Sequence, residues 1–101
     1  MPYVLRFAKQ ADEMLSRLES EPNLRVKQKK VRKALGQLER NPRHPSLHSH
    51  QYESFPVDRD AKVWDSYAEN NTPGAWRIFW HYGPDEDGQP VITVLVIGPH
   101  P

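Results

Sequence analysis

At 101 residues, 37% hydrophobic and 27% charged, the chain is sized for one small domain, residues 1–101, with one modest core. It contains no cysteine, which excludes a disulfide framework and any thiolate nucleophile or metal ligand. The formal charge of +1 conceals a segregation: residues 25–43 hold eight basic side chains against the single acid Glu39, while both flanking stretches are acidic on balance. The N-terminus turns charged at Arg6, too early for a secretory leader, and the longest apolar run, 91–97, is too short to span a bilayer. A soluble cytoplasmic chain without membrane partners is expected.

In chain order, residues 3–6 can form a short edge strand. Phe7, Ala11, Met14, Leu15 and Leu18 recur at helical spacing and predict a helix over 7–20. Pro22 stops it, because the residue before a proline is steered out of helical geometry. A second helix is predicted over 24–40, with Leu24, Val31, Ala34, Leu35 and Leu38 as its apolar stripe. Lys27, Lys29, Lys30, Arg32 and Lys33 occupy its other faces. Asn41-Pro42 ends it, and the short break between the two helices reads as a helical hairpin.

Strands follow. Residues 47–54 can pair as a strand with His48, His50 and Tyr52 on one face, and 55–60 are a loop. Residues 62–68 form a second strand, 70–74 (Asn-Asn-Thr-Pro-Gly) a dense turn signal, and 75–82 a third strand. A loop with an Asp87-Gly88 turn leads to a fourth strand over 91–97, apolar on both faces and therefore central. The fold class is α+β: an N-terminal helical hairpin packed on a small, mainly antiparallel sheet.

Alternation along 76–82 sends Trp76, Ile78, Trp80 and Tyr82 to a core face and Arg77, Phe79 and His81 to the other. Arg77 is a permanent cation whose guanidinium can hold a phosphate through paired hydrogen bonds. Its structural alternative is a salt bridge to Asp65 or Glu69 on the neighbouring strand. Phe79 shares Arg77's face and can stack on a base. His81 can transfer protons near neutral pH; its alternative is a rim residue half covering the sheet. His44, His48 and His50, with no cysteine or supporting carboxylate, make a weak zinc pattern. The basic helix face can contact nucleic acid phosphates or simply be solvated.

The ordered combination of a short strand, a helical hairpin, and three further pieces resembles the RelE/ParE superfamily of bacterial type II toxins. The pieces are residues 38–47 (Leu-Glu-Arg-Asn-Pro-Arg-His-Pro-Ser-Leu), 76–79 (Trp-Arg-Ile-Phe) and 94–100, which close on Ile-Gly-Pro-His. The likeness covers nearly the whole chain in element order. It implies a RelE-like endoribonuclease that needs no metal or other cofactor, cuts mRNA on the ribosome and so blocks translation. It also implies a cognate antitoxin protein as partner, beside mRNA and ribosomal RNA. ParE-like members share the fold and inhibit DNA gyrase instead, and a toxin-like fold can also persist as an inactive partner-binding module.

By that resemblance Arg77 falls on the arginine of the family's aromatic-Arg-aliphatic pattern. His100 falls where members carry an acid or base, with His81 as its substitute. Lys27, Lys29, Lys30, Arg32, Lys33, His48, His50 and Phe79 are then the expected RNA contacts. Many members continue with a tyrosine or basic tail where this sequence ends at Pro101, which removes one expected catalytic side chain.

Overall fold

The computed structural model of the protein describes residues 2–53, 62–70 and 73–99. The first apolar stripe winds into α1 (Lys9–Ser20), which buries Ala11 and Leu18 and packs Met14 and Leu15 beside them. Glu21 leaves the helix in extended geometry, as the residue before Pro22 must. A 3-10 turn at Pro22–Leu24 then redirects the chain into α2 (Arg25–Arg40). Val31, Ala34, Leu35 and Leu38 form the buried stripe of α2, and Asn41 ends it in extended geometry before Pro42. Burying each such leucine fully contributes about 1.5–3 kcal/mol.

Five strands complete the described elements: β1 (Val4–Phe7), β2 (His50–Gln51), β3 (Trp64–Tyr67), β4 (Trp76–Tyr82) and β5 (Val91–Pro99). They lie in the order β1-β5-β4-β3-β2, with β1 parallel to β5 and the remaining pairs antiparallel. The molecule is therefore α+β, with two helices and a mixed, open five-stranded sheet. Ile78, Trp80, Ile92, Val94 and Ile97 face the two helical stripes and form one core with them. Among the described residues no helix is long and apolar enough to cross a membrane.

Two details differ from the sequence expectation. Phe7 belongs to β1 rather than to the first helix, because pairing with β5 continues until the Ala8 N–H donates to the Val94 carbonyl. The strand expected over 47–54 shrinks to the two residues of β2. Pro45–Leu47 forms a 3-10 turn instead, and the His44 ring accepts a hydrogen bond from the Ser46 N–H. That local side-chain bond competes with ladder pairing. His48 follows in the left-handed region at φ 47°. Ser54, the 55–60 loop, and Asn71 and Thr72 of the 70–74 turn lie outside the described residues.

A bulge keeps β4 in register. Phe79 lies opposite Val96 and Trp80 opposite Val94, so Leu95 is the extra residue and the strict alternation of β4 survives. Beyond Val94 the β1 side of β5 has lost its strand partner. Gln10 of α1 substitutes for it, its side chain accepting from the Ile97 N–H at 3.0 Å and donating to the Ile97 carbonyl at 3.3 Å.

Candidate functional site

Alternation places Arg77 and Phe79 on the sheet face opposite the helices, and the register of β3 brings Tyr67 beside Arg77 and Asp65 beside Phe79. This face is also buried at its centre: Asp65 and Phe79 are 0% exposed and Arg77 is 7% exposed. One guanidinium nitrogen, Nη1, donates to both carboxylate oxygens of Asp65, at 3.2 and 3.1 Å. The guanidinium carbon lies 3.9 Å from the centre of the Tyr67 ring. A desolvated cation is thereby matched by a carboxylate on one side and an aromatic face on the other.

His50 stands at the edge of this pair. Its Nδ1 lies 2.8 Å from the His48 carbonyl oxygen, which can only accept, so Nδ1 carries the proton. Its Nε2 faces Asp65 Oδ2 at 3.4 Å, and the His50 side chain is 49% exposed. The half-exposed imidazole is thus held at both nitrogens, by a backbone carbonyl at Nδ1 and by a buried carboxylate at Nε2. The His48 ring packs on Tyr67 at 4.8 Å between centroids, and His50 meets the same ring edge-on at 6.2 Å. Two imidazoles therefore flank one tyrosine that itself covers Arg77. The left-handed backbone of His48 is a strained conformation for a non-glycine residue.

Tyr67 also joins this cluster to α2. It lines a groove of about 270 Å³ together with Lys30, Lys33, Gln37 and Ser46. The helix is moored there by Glu69, which accepts from Lys27 Nζ at 2.8 Å and from the Trp76 N–H at 2.8 Å, with Lys30 Nζ at 3.8 Å. Burial works against ionisation of Glu69, but Lys27, the Trp76 N–H and Lys30 outweigh it and hold its carboxyl below the usual range. Lys27 lies over the Trp76 ring at 5.4 Å, so this lysine ties the helix to the sheet. Lys29, Arg32 and Lys33 are exposed.

The residues singled out in the sequence are thus separated into groups. Arg77, His48 and His50 come together, with Lys30 and Lys33 across the groove. His81 lies four residues along β4, opposite Thr93, with its Nδ1 3.0 Å from the Tyr82 carbonyl. Phe79 is fully buried with its ring 5.4 Å from Tyr52, so it presents no face for base stacking. Arg77, expected to offer its guanidinium to a phosphate, takes up the salt bridge to Asp65. His100 lies outside the described residues. Among the described residues no three His, Asp or Glu side chains gather as a metal site, so His44, His48 and His50 form no such group.

Asp65 and Tyr67 are the members that sequence reasoning did not place in the site. The signal was an acid between the aromatic residues of Val63-Trp64-Asp65-Ser66-Tyr67, on the strand that pairs with β4. No family model, curated protein or solved structure matches the chain.

Proposed function

We propose that the protein is a RelE-like toxin that cleaves RNA, mRNA on the ribosome in particular, with His50, held by the buried Asp65–Arg77 pair, at its reacting centre. The observation that carries this reading is an exposed imidazole fixed on a buried carboxylate, next to a lysine-lined groove. Cleavage by the 2′-OH requires a base for that proton, cations for the charge gathering on phosphorus, and an acid for the departing 5′ oxygen. His50 Nε2 takes the 2′ proton as the new O–P bond forms. Lys30 and Lys33 meet the phosphate oxygens, and His48, across Tyr67, returns a proton to the 5′ oxygen as its bond to phosphorus breaks. Arg77 acts through Asp65 and Tyr67 as a positioning residue. The cytoplasm and a neutralising antitoxin belong to the same reading.

The closure of Arg77 by Asp65 and Tyr67 favours a second reading, a ParE-like protein that inhibits DNA gyrase by binding alone. Expression in a bacterium separates the two. RNA cleavage predicts translation arrest and new mRNA ends, both lost in His50→Asn. Gyrase inhibition predicts DNA damage signalling, with His50→Asn as potent as the parent. Growth without either response would sink both.

A further inference from the structure

A second recess lies on the helix-covered side of the sheet, where the connector after α2 crosses the ends of β3 and β4. It has a volume of about 350 Å³ and is lined by Arg43, His44, His48, Trp64, Trp80 and Tyr82, among others. That is at the small end of the range for ligand pockets, about 300–1,000 Å³, so it suits one compact ligand. Its walls are rings: Trp64 and Trp80 lie nearly parallel at 6.0 Å and 21°, and Tyr82 meets them almost perpendicularly, at 77° and 83°. The aromatic surfaces thus form a corner with a floor and a wall.

The connector that closes this corner is fixed by a directed chain of hydrogen bonds. Trp80 Nε1 donates to Ser66 Oγ at 2.8 Å, and Ser49 Oγ donates to the Pro42 carbonyl at 2.8 Å. The two hydroxyls lie 2.6 Å apart. A carbonyl only accepts, so Ser49 spends its proton on Pro42, and Ser66 must donate to Ser49. The recess is therefore held open by its own polar frame rather than left by loose packing.

Its chemistry selects among flat ligands. Among the described residues no carboxylate lines it, which argues against an organic cation, since an aromatic cage for a cation gains from a nearby acid. Arg43 is exposed and makes no ion pair among the described residues. Its guanidinium lies near the Tyr82 hydroxyl: burial raises that phenol above its ordinary value and Arg43 opposes the rise. Tyr82 remains 44% exposed, so its ring is open to a ligand at the rim. A cation without an ion pair among the described residues, at the rim of an aromatic corner, fits a planar ring that carries an anion.

We propose that this corner binds one nucleotide, its base stacked on Trp64 with an edge against Tyr82 and its phosphate on Arg43. Stacking of this kind tolerates every base, so the site adds grip without fixing sequence. The inference deepens the RNA-cleavage reading and rests on it for the nucleotide being a unit of an RNA strand, held by the connector that also carries His48.

The test is a titration of the full chain followed by amide and indole NMR, using adenosine 5′-monophosphate, adenosine and N-acetyltryptophan amide as probes. The monophosphate is expected to shift the Trp64 and Trp80 indole signals saturably, with adenosine about tenfold weaker, the loss of one charge-assisted contact. Arg43→Ala, at an exposed position, should bring the monophosphate down to the level of adenosine. Absence of saturable shifts, or identical binding by Arg43→Ala, would overturn the proposal. Preference for N-acetyltryptophan amide would overturn it as well, by assigning the corner to an aromatic side chain of a partner protein. These outcomes are read without cleavage: RNA cutting with no nucleotide in the corner defeats this site alone, and nucleotide binding without RNA cutting defeats the activity alone.

Discussion

Asp65 and Glu69 face the same electrostatic problem and solve it differently. Each carboxylate meets two basic side chains among the described residues. Asp65 is wholly buried and holds Arg77, itself 8% exposed, at 3.1 Å, with His50 at 3.4 Å. Glu69 sits at the rim with its side chain 13% exposed and takes Lys27 at 2.8 Å and Lys30 at 3.8 Å, both partly solvated. The rim acid ties a helix to a sheet through flexible, hydrated ammonium groups, which can shift without loss of the fold. The buried acid is held by a guanidinium that is itself almost fully buried. Its other partner, His50, is half exposed, so the cluster meets solvent at the imidazole. A permanent charge in a strand is therefore not by itself a ligand site; its value depends on what the neighbouring strand offers it.

The comparison breaks most sharply at Asp65. Asp65→Ala removes the carboxylate from the buried guanidinium and should cost about 3–5 kcal/mol in urea unfolding. The double replacement Asp65→Leu with Arg77→Met should recover most of that loss, since a buried pair can be exchanged for apolar side chains of similar size. A double variant as unstable as the single one would mean that the pair is not the source of the effect.

His50→Asn sharpens the contrast between fold and chemistry. The unfolding midpoint should stay unchanged, because the ring is half exposed, while RNA cleavage should fall by about 10²-fold or more. Equal losses in both readouts would make His50 a structural residue.

Glu69→Gln is expected to cost about 1 kcal/mol at neutral pH, the scale of a hydrogen-bonded rim pair. The folded carboxyl titrates below its unfolded value of about 4.3. Its contribution is therefore complete above that value and is lost as pH falls through the lowered folded value. Unfolding curves of the parent and Glu69→Gln should converge in acid; a gap that persists there would assign the effect to packing. The smallest effect belongs to Arg6→Ala. Its pairing with Glu86 at 2.7 Å is solvent-exposed, and the unfolding midpoint should not move at physiological salt.

Much of this arrangement was legible in the sequence, for identifiable reasons. Both helices were, because their apolar residues keep a helical period and a proline follows each. The two faces of β4 were also legible, because strict alternation survives when the bulge falls on β5. Alternation names a face but not what covers it. Phe79 was assigned correctly beside Arg77, yet its complete burial was invisible, and Tyr82 kept to the core side while ending 44% exposed beyond the helices. The Arg77–Asp65 pair was one of two options, since choosing between Asp65 and Glu69 needs the register of β3 on β4. The His50 geometry was out of reach: it depends on the left-handed turn at His48, which a run of polar residues does not announce.

The most direct measurement is cleavage of a defined mRNA by the purified protein on ribosomes, in a chelator, comparing the parent with folded His50→Asn. The account predicts 2′,3′-cyclic phosphate ends with the parent and their near disappearance with the variant. Undiminished cutting by His50→Asn, or an intact message with the parent, would contradict it.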